Sequence, residues 1–325
     1  QFLTFCKAMR GWSRGLRTAV KNWYGRWDVP HLAYELVKYQ SREGISNRDV
    51  FRLAHPAGAN SALLRWAIGA NADAREVAPR RGSDLNARRY AAVGDELPAI
   101  VTAFEEAKTL DCEKAKDIKR LVKLIGEHNL TREMVPTQAL NSKDVWDALL
   151  VKMPLTAMIR NLGKMTEIGL LSESAAKKQV MARLADPEYI RKSRVHPLTL
   201  LVAQKTYAQG HGDKGSLHWT PVTQIVDALD DAFYMAYGNV EPTGKRILLA
   251  LDVSGSMGGL VSGLPIRHCE ATAAMCLVTA NVEKDYEIMG FATQFRALGI
   301  SPRMRLDEAA KRTTMYNFGG TDCAL

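Results

Sequence analysis

The sequence predicts a multidomain chain, a long all-helical part built as an α-solenoid and then a smaller Rossmann-like α/β part. Three observations carry this prediction. Apolar residues recur at three- and four-residue spacing through residues 1–240. An unbroken apolar run, ILLAL at 247–251, follows a Pro- and Gly-marked break at Glu241, Pro242 and Gly244. The formal charge of +9 is also unevenly placed: from Arg246 onward eight Lys/Arg balance eight Asp/Glu, so 36 basic and 27 acidic residues remain before it.

The helical part is justified segment by segment. LTFCKAMRGWSRGLRTAVKNWY, HLAYELVKYQ, SALLRWAIGA, KDIKRLVKLIGEH, SKDVWDALLVKM, LTAMIRNLGKM, SAAKKQVMARL and TQIVDALDDAFYMAYG each place apolar side chains on one helical face. The breaks between them are short and carry cap chemistry: Ser46 before Asp49, Ser142 before Val145, Pro154, Ser172 and Ser174. Many short helices with brief connections suggest stacked antiparallel pairs of the HEAT type. No strict repeat consensus supports this, so helix number alone carries it. Residues 1–240 are taken as one domain and 241–325 as the other.

After residue 241 the order reads strand (247–251), loop, helix (268–279), strand (286–291) and helix (306–314), which is α/β grammar. Other bulk features narrow the chemistry. No apolar run approaches the roughly 18 residues needed to span a bilayer, and the Arg-punctuated beginning is no signal peptide. Cys6, Cys112, Cys269, Cys276 and Cys323 are scattered and odd in number, without zinc spacing. Reduced thiols in a cytoplasmic protein are the expectation. His196, His211 and His218 have no Cys or acidic pattern around them and read as loop and core histidines.

Two stretches carry candidate chemistry. Asp252, Ser254 and Ser256 form D-x-S-x-S directly after the apolar strand, where ligands sit in open α/β sheets. A carboxylate and two hydroxyls suit a hard divalent cation, most simply Mg²⁺, and Gly319-Gly320-Thr321 offers a further hydroxyl, that of Thr321. The competing reading makes the same residues turn formers and caps. Neither serine sits in a G-x-S-x-G elbow, and the Gly238–Lys245 stretch is too long and wrongly placed for a phosphate loop, so no catalysis is expected. The second stretch runs from Lys38 to His55. Lys38 and Arg42, four apart, would share a helix face, with Gly44 as the stop. Ser46 and Asp49 would open a helix on which Arg48, Arg52 and His55 line one side, away from Val50, Leu53 and Ala54. Such cations can reach successive phosphates of a folded RNA, although an ordinary solvated face would look similar.

The pattern K-Y-x-x-R-x-G-x-S-x-x-D-x-x-R-L-x-H across 38–55 resembles the signature of the Ro ribonucleoprotein autoantigen family and its TROVE module. MPLTAMIRNLGKM (153–165), V-H-P (195–197), Thr206-Tyr207 with Gly210-His211-Gly212, and E-P-T-G-K (241–245) are similar to further family motifs, in order through nearly the whole chain. The loop at 252–256 resembles the metal-ion-dependent adhesion site of von Willebrand A-type domains, and the segment 69–95 departs from familiar relatives, as a bacterial member's would. The resemblance implies a ring of HEAT-like helices closed by an A-type domain. It implies binding of Y RNA-like structured small noncoding RNAs on an outer basic surface, with Lys38, Arg42 and His55 at matching positions, and of single-stranded ends of misfolded RNAs in a central hole. It also implies metal ligation by Asp252, Ser254, Ser256 and Thr321, and a protein partner, a ribonuclease among the candidates, at the A-type domain. On the same comparison, an N-terminal portion and the end of the A-type domain, with one further acidic ligand, are expected to be missing here. The alternative role is a metal-dependent protein-interaction scaffold. A chelatase-type subunit suits the basic helical part less well.

Overall fold

In a computed structural model the described residues are 11–42, 44–56, 61–69, 96–172, 175–212, 215–314 and 320–322, with only the backbone described at Arg42 and Ser61. The expected variable segment beyond Gly69, Ser174, Gly319, Cys6 and Cys323 lie outside them. By packing, the chain divides into two compact units, residues 1–152 and 153–325.

The first unit is helical. It contains α1 (Arg14–Gly25), α2 (Val29–Lys38), α3 (Asn47–Ala54), α4 (Ser61–Ala67), α5 (Ala99–Thr109), α6 (Ala115–His128) and α7 (Lys143–Val151). Helix α1 packs on α3, α2 on α5, α5 on α6, and α6 on α7, so these helices cover one another's apolar stripes in pairs. Leu36, Phe51, Leu121, Leu124 and Trp146 are fully buried, and the Trp146 Nε1–H donates to the Leu140 carbonyl at 2.7 Å. Arg120 on α6 grips the Glu106 carboxylate of α5 through Nε at 2.5 Å and a terminal nitrogen at 2.8 Å, the bidentate geometry that fixes both helices.

Between α2 and α3 the structure departs from expectation. Helix α2 ends at Lys38, and Ser41–Arg42 (β1) pairs antiparallel with Ile45–Ser46 (β2) across Gly44, whose φ is +75°. Lys38 and Arg42 therefore do not share a helix face. The Asn47 side-chain amide, reaching the Tyr39 carbonyl at 3.1 Å, satisfies the end of α2 and draws the chain into the hairpin.

The second unit begins with α8 (Leu155–Glu167), α9 (Ala175–Leu184), α10 (Pro187–Ser193), α11 (Pro197–Ala208) and α12 (Thr223–Met235). The α/β segment follows, with β3 (Ile247–Asp252), α13 (His268–Val282), β4 (Tyr286–Phe291), β5 (Phe295–Ala297) and α14 (Leu306–Thr314). Strand β3 pairs parallel with β4, as expected, and β5 adds an antiparallel edge that no alternation in the sequence announced. Only one side of β3 is covered among the described residues: Leu251 is buried, whereas Leu248 is 60% exposed. The continuous apolar run thus overstated the burial.

Helices 153–240 pack against the α/β segment. Helix α11 contacts α13, with Lys205 Nζ 2.8 Å from Glu270, and Arg305 pairs with Asp230 while lying 4.1 Å over the Tyr234 ring. At the junction, the buried Glu283 carboxylate accepts the backbone N–H groups of Thr243 at 2.5 Å and Gly244 at 3.1 Å. His196, His211 and His218 are all exposed rather than core residues. His196 caps α11 by accepting from the Leu198 N–H, and the backbones of His211 and His218 bridge to close a loop. Cys276 is buried, and burial pushes its thiol up to about 12. No described helix is long and apolar enough to cross a membrane.

Candidate nucleic-acid interface and acidic-serine loop

The basic face is assembled around the β1–β2 hairpin. Ser46 is the N-cap of α3: the Asp49 N–H donates to its Oγ at 3.2 Å, while the Ser46 N–H and Oγ–H donate to the Asp49 carboxylate at 3.0 and 2.6 Å. This reciprocal box fixes where α3 starts. The hydrogen bond from the Ser46 hydroxyl, then that from its N–H, holds the Asp49 carboxyl below the usual range. Val50, Phe51 and Ala54 bury one side of α3 and leave Arg48 and Arg52 exposed. Leu53, expected on the apolar arc, is 36% exposed, and Phe51 takes its place.

His55 terminates α3 in the left-handed region, at φ +51°, and is half-buried rather than continuing the helix face. Lys38 sits at the last turn of α2. Its Nζ donates to the Tyr34 hydroxyl at 3.0 Å and lies 5.2 and 5.3 Å from the Tyr34 and Tyr39 ring centres. Partial burial opposes its charge, but the Tyr34 hydrogen bond, together with Tyr34, Tyr39 and Glu133, outweighs this and raises its pKa. Lys38, at the end of α2, and Arg48, at the start of α3, thus flank the hairpin, whose strand β1 contains the Arg42 backbone, while Arg52 and His55 lie further along α3. The structure also sets two tyrosine rings against Lys38: Tyr39, the tyrosine of the K-Y-x-x-R signature, and Tyr34, which no motif marked. A search for aromatics one turn from each cation would have found Tyr34, at i−4 of Lys38.

The acidic-serine loop leaves the carboxyl end of β3. The Val253 N–H donates to the Phe291 carbonyl at 3.1 Å, and the Ser254 N–H to Asp252 Oδ1 at 2.8 Å. The Ser254 and Ser256 hydroxyl oxygens lie 3.0 Å apart, with Ser254 buried to 5% exposure. The 3.0 Å separation is that of a hydrogen bond between the two serines, and oxygen donors of this kind are the type a small hard cation takes. Thr321 is exposed, and the neighbouring Asp322 N–H ties its loop to the Ala292 carbonyl at 2.7 Å. Ala292 immediately follows β4, whose Phe291 is in register with Asp252, so Thr321 comes to the same end of the sheet. No group of three or more His, Cys, Asp or Glu forms a metal cluster among the described residues. His268 also borders this loop, its N–H donating to the Gly259 carbonyl at 2.9 Å. Nothing in the motif pointed to it.

A helical-repeat segment joined to an α/β segment, with a hydroxyl-rich loop at its strand ends, defines a two-part class of helical-scaffold and A-type-domain proteins. Residues 4–129 and 75–206 match the TROVE domain, and 246–325 match the Ro60 vWA domain. The chain belongs to the Ro family that combines these two domains. It is 37% identical to RNA-binding protein RO60 of Caenorhabditis elegans, over 98% of this chain and 53% of that protein. It is 39% identical to RNA-binding protein RO60 of Deinococcus radiodurans, over 99% of this chain and 58% of that protein. The crystal structure of the Deinococcus radiodurans RO (RSR) protein superimposes with a TM-score of 0.77 at 38% identity, covering 99% of this chain and 62% of that one. The chain thus spans little more than half the length of these curated relatives.

Proposed function

We propose that this chain binds RNA within a Ro-type ribonucleoprotein and does so without catalysis of its own. The carrying observation is that Lys38 ends α2 and exposed Arg48 and Arg52 stand on α3, the two helices that the β1–β2 hairpin joins, in a chain whose relatives are named RNA-binding proteins. The ligand is a structured, Y RNA-like small noncoding RNA whose phosphates meet these cations, with single-stranded ends of misfolded RNAs as a second substrate class for RNA quality control. Phosphate contacts set affinity and make it salt-dependent. The protein acts in the cytoplasm, consistent with the free thiols of Cys112, Cys269 and Cys276 among the described residues.

The test is binding of one structured RNA, with and without an unpaired 3′ tail, across a salt series. The Lys38→Ala/Arg42→Ala/His55→Ala protein should bind about tenfold or more weakly and with a shallower salt dependence. Unchanged binding by this variant would remove the basic face from the interface.

A second activity is read from the oxygen donors that Asp252, Ser254 and Ser256 bring together at the carboxyl end of β3. Asp252, Ser254, Ser256 and Thr321 would hold a divalent cation, Mg²⁺ by size, with water or a partner's carboxylate completing its shell. The cation would supply a fixed positive charge for docking an acidic group of a protein such as a ribonuclease. Isothermal titration with Mg²⁺ should give a saturable signal that Asp252→Ala abolishes. A signal identical in the variant would place the cation elsewhere.

A further inference from the structure

Helix α2 carries more than Lys38. His31, Tyr34 and Lys38 stand at i, i+3 and i+7 and share one stripe of the helix. At its beginning the His31 ring stacks on Trp27, with centres 4.0 Å apart and planes within 20°. The Arg26 guanidinium lies 4.3 Å from the Trp27 ring centre and 5.9 Å from that of Trp23. Asp28 sets this start by accepting the His31 N–H at 2.8 Å, so backbone and ring are held together. The His31 side chain is 44% exposed although one of its faces is against Trp27, which leaves the other face to solvent. A cation–aromatic stripe therefore runs from Tyr39 and Lys38, through Tyr34, to His31, Trp27 and Arg26.

Such a stripe has a chemistry of its own. Unpaired bases stack on aromatic or guanidinium planes at about 1–3 kcal/mol each, whatever their identity, while flanking cations track the backbone. From His31 to Lys38 the rise is about 10 Å, close to three stacked nucleotides at roughly 3.4 Å each. The surrounding charge suits a polyanion: residues 11–56 contain eight Lys/Arg and four Asp/Glu. Arg14, Arg17 and Lys21 are exposed along one side of α1, without ion pairs to described residues. Glu35, 3.9 Å from His31, makes that end unsuited to a phosphate and leaves it to a base.

We propose that α2 is a stacking track for single-stranded RNA, with a base on the open face of His31, supported by Trp27 and Arg26, and a phosphate two or three nucleotides away at Lys38. This rests on the RNA-binding reading above and assigns unpaired nucleotides to the residues along α2.

The test uses two probes with the full chain: a fluorescently labelled oligouridine of about ten nucleotides and a blunt RNA hairpin. His31→Ala is expected to weaken oligouridine binding about tenfold while leaving the salt slope unchanged, and His31→Tyr to restore it. Lys38→Ala should weaken both probes and lower the slope by about one, as loss of a phosphate contact does. Trp27→Leu, checked for an unchanged thermal melt, should reproduce the His31→Ala loss. Oligouridine affinity unchanged in His31→Ala, or equally lost in His31→Tyr, would overturn the track. If the hairpin still binds and still loses affinity with Lys38→Ala, the RNA-binding reading survives that failure. If neither probe binds the unaltered chain, both fall.

Discussion

Gly163 is the residue where space decides most. A Cβ there would lie 2.7 Å from Cζ3 of Trp219, closer than real contacts allow. The indole cannot swing aside easily, because its Nε1–H donates to the Tyr207 carbonyl at 2.9 Å and its ring stacks on Tyr207 at 6.1 Å. Alanine gains about 1 kcal/mol of helix propensity over glycine, but overpacking a fixed neighbour costs about 1–3 kcal/mol. Gly163→Ala should therefore lower stability, by about 1 kcal/mol net, in a urea melt followed by tryptophan fluorescence. An unchanged midpoint would mean that Trp219 yields. Ser46 acts in another way, through its hydroxyl. Ser46→Ala removes the acceptor of the Asp49 N–H and should cost about 1 kcal/mol. It should also weaken binding of the structured RNA, since α3 would fray at the end that projects Arg48. A stability loss with RNA affinity intact would separate the cap from the interface.

Single elements show the balance between local code and tertiary demand. The turn at 242–244 is held by Glu283, whose carboxyl is kept below the ordinary value, first by the Thr243 N–H. A depressed folded value means the stabilisation is present above the unfolded pKa, near 4.3, and is lost as pH falls through the folded one. Glu283→Gln should therefore melt lower than the unaltered chain at neutral pH, with the two curves converging below about pH 4. A gap that stays constant down to pH 3 would assign the loss to packing instead. Element types were legible because caps and periodicity are local: Ser46 and Asp49 mark α3, and the runs expected at 247–251, 286–291 and 306–314 fall on the observed strands β3 and β4 and helix α14. The β1–β2 hairpin was not legible. Lys38 and Arg42 have helical spacing, and what stops α2 is the amide of Asn47, eight residues beyond the Tyr39 carbonyl it reaches. Strand β5 and the exposure of Leu248 depend on which neighbours are present, and no local pattern encodes those. The acidic-serine loop was readable as a motif, whereas the approach of its two hydroxyls is a property of the folded turn after β3.

Across the whole chain, charge and ligand chemistry are segregated. Residues before Arg246 carry the entire excess of nine positive charges, while the segment with the D-x-S-x-S loop is neutral. A polyanion is thus attracted by the helical part through long-range, screened interactions. A cation at Asp252, Ser254 and Ser256 would be held by short-range oxygen contacts that salt hardly weakens. These two dependences predict separable responses. Removing divalent cations with a chelator, or replacing Asp252 by Ala, should leave the salt slope of RNA binding unchanged. Lys38→Ala/Arg52→Ala should reduce that slope by about two and leave Mg²⁺ titration as it was. RNA affinities measured from 50 to 200 mM salt, with and without chelator, would settle the matter, because a slope that changes with the metal would mean the two sites share one electrostatic field.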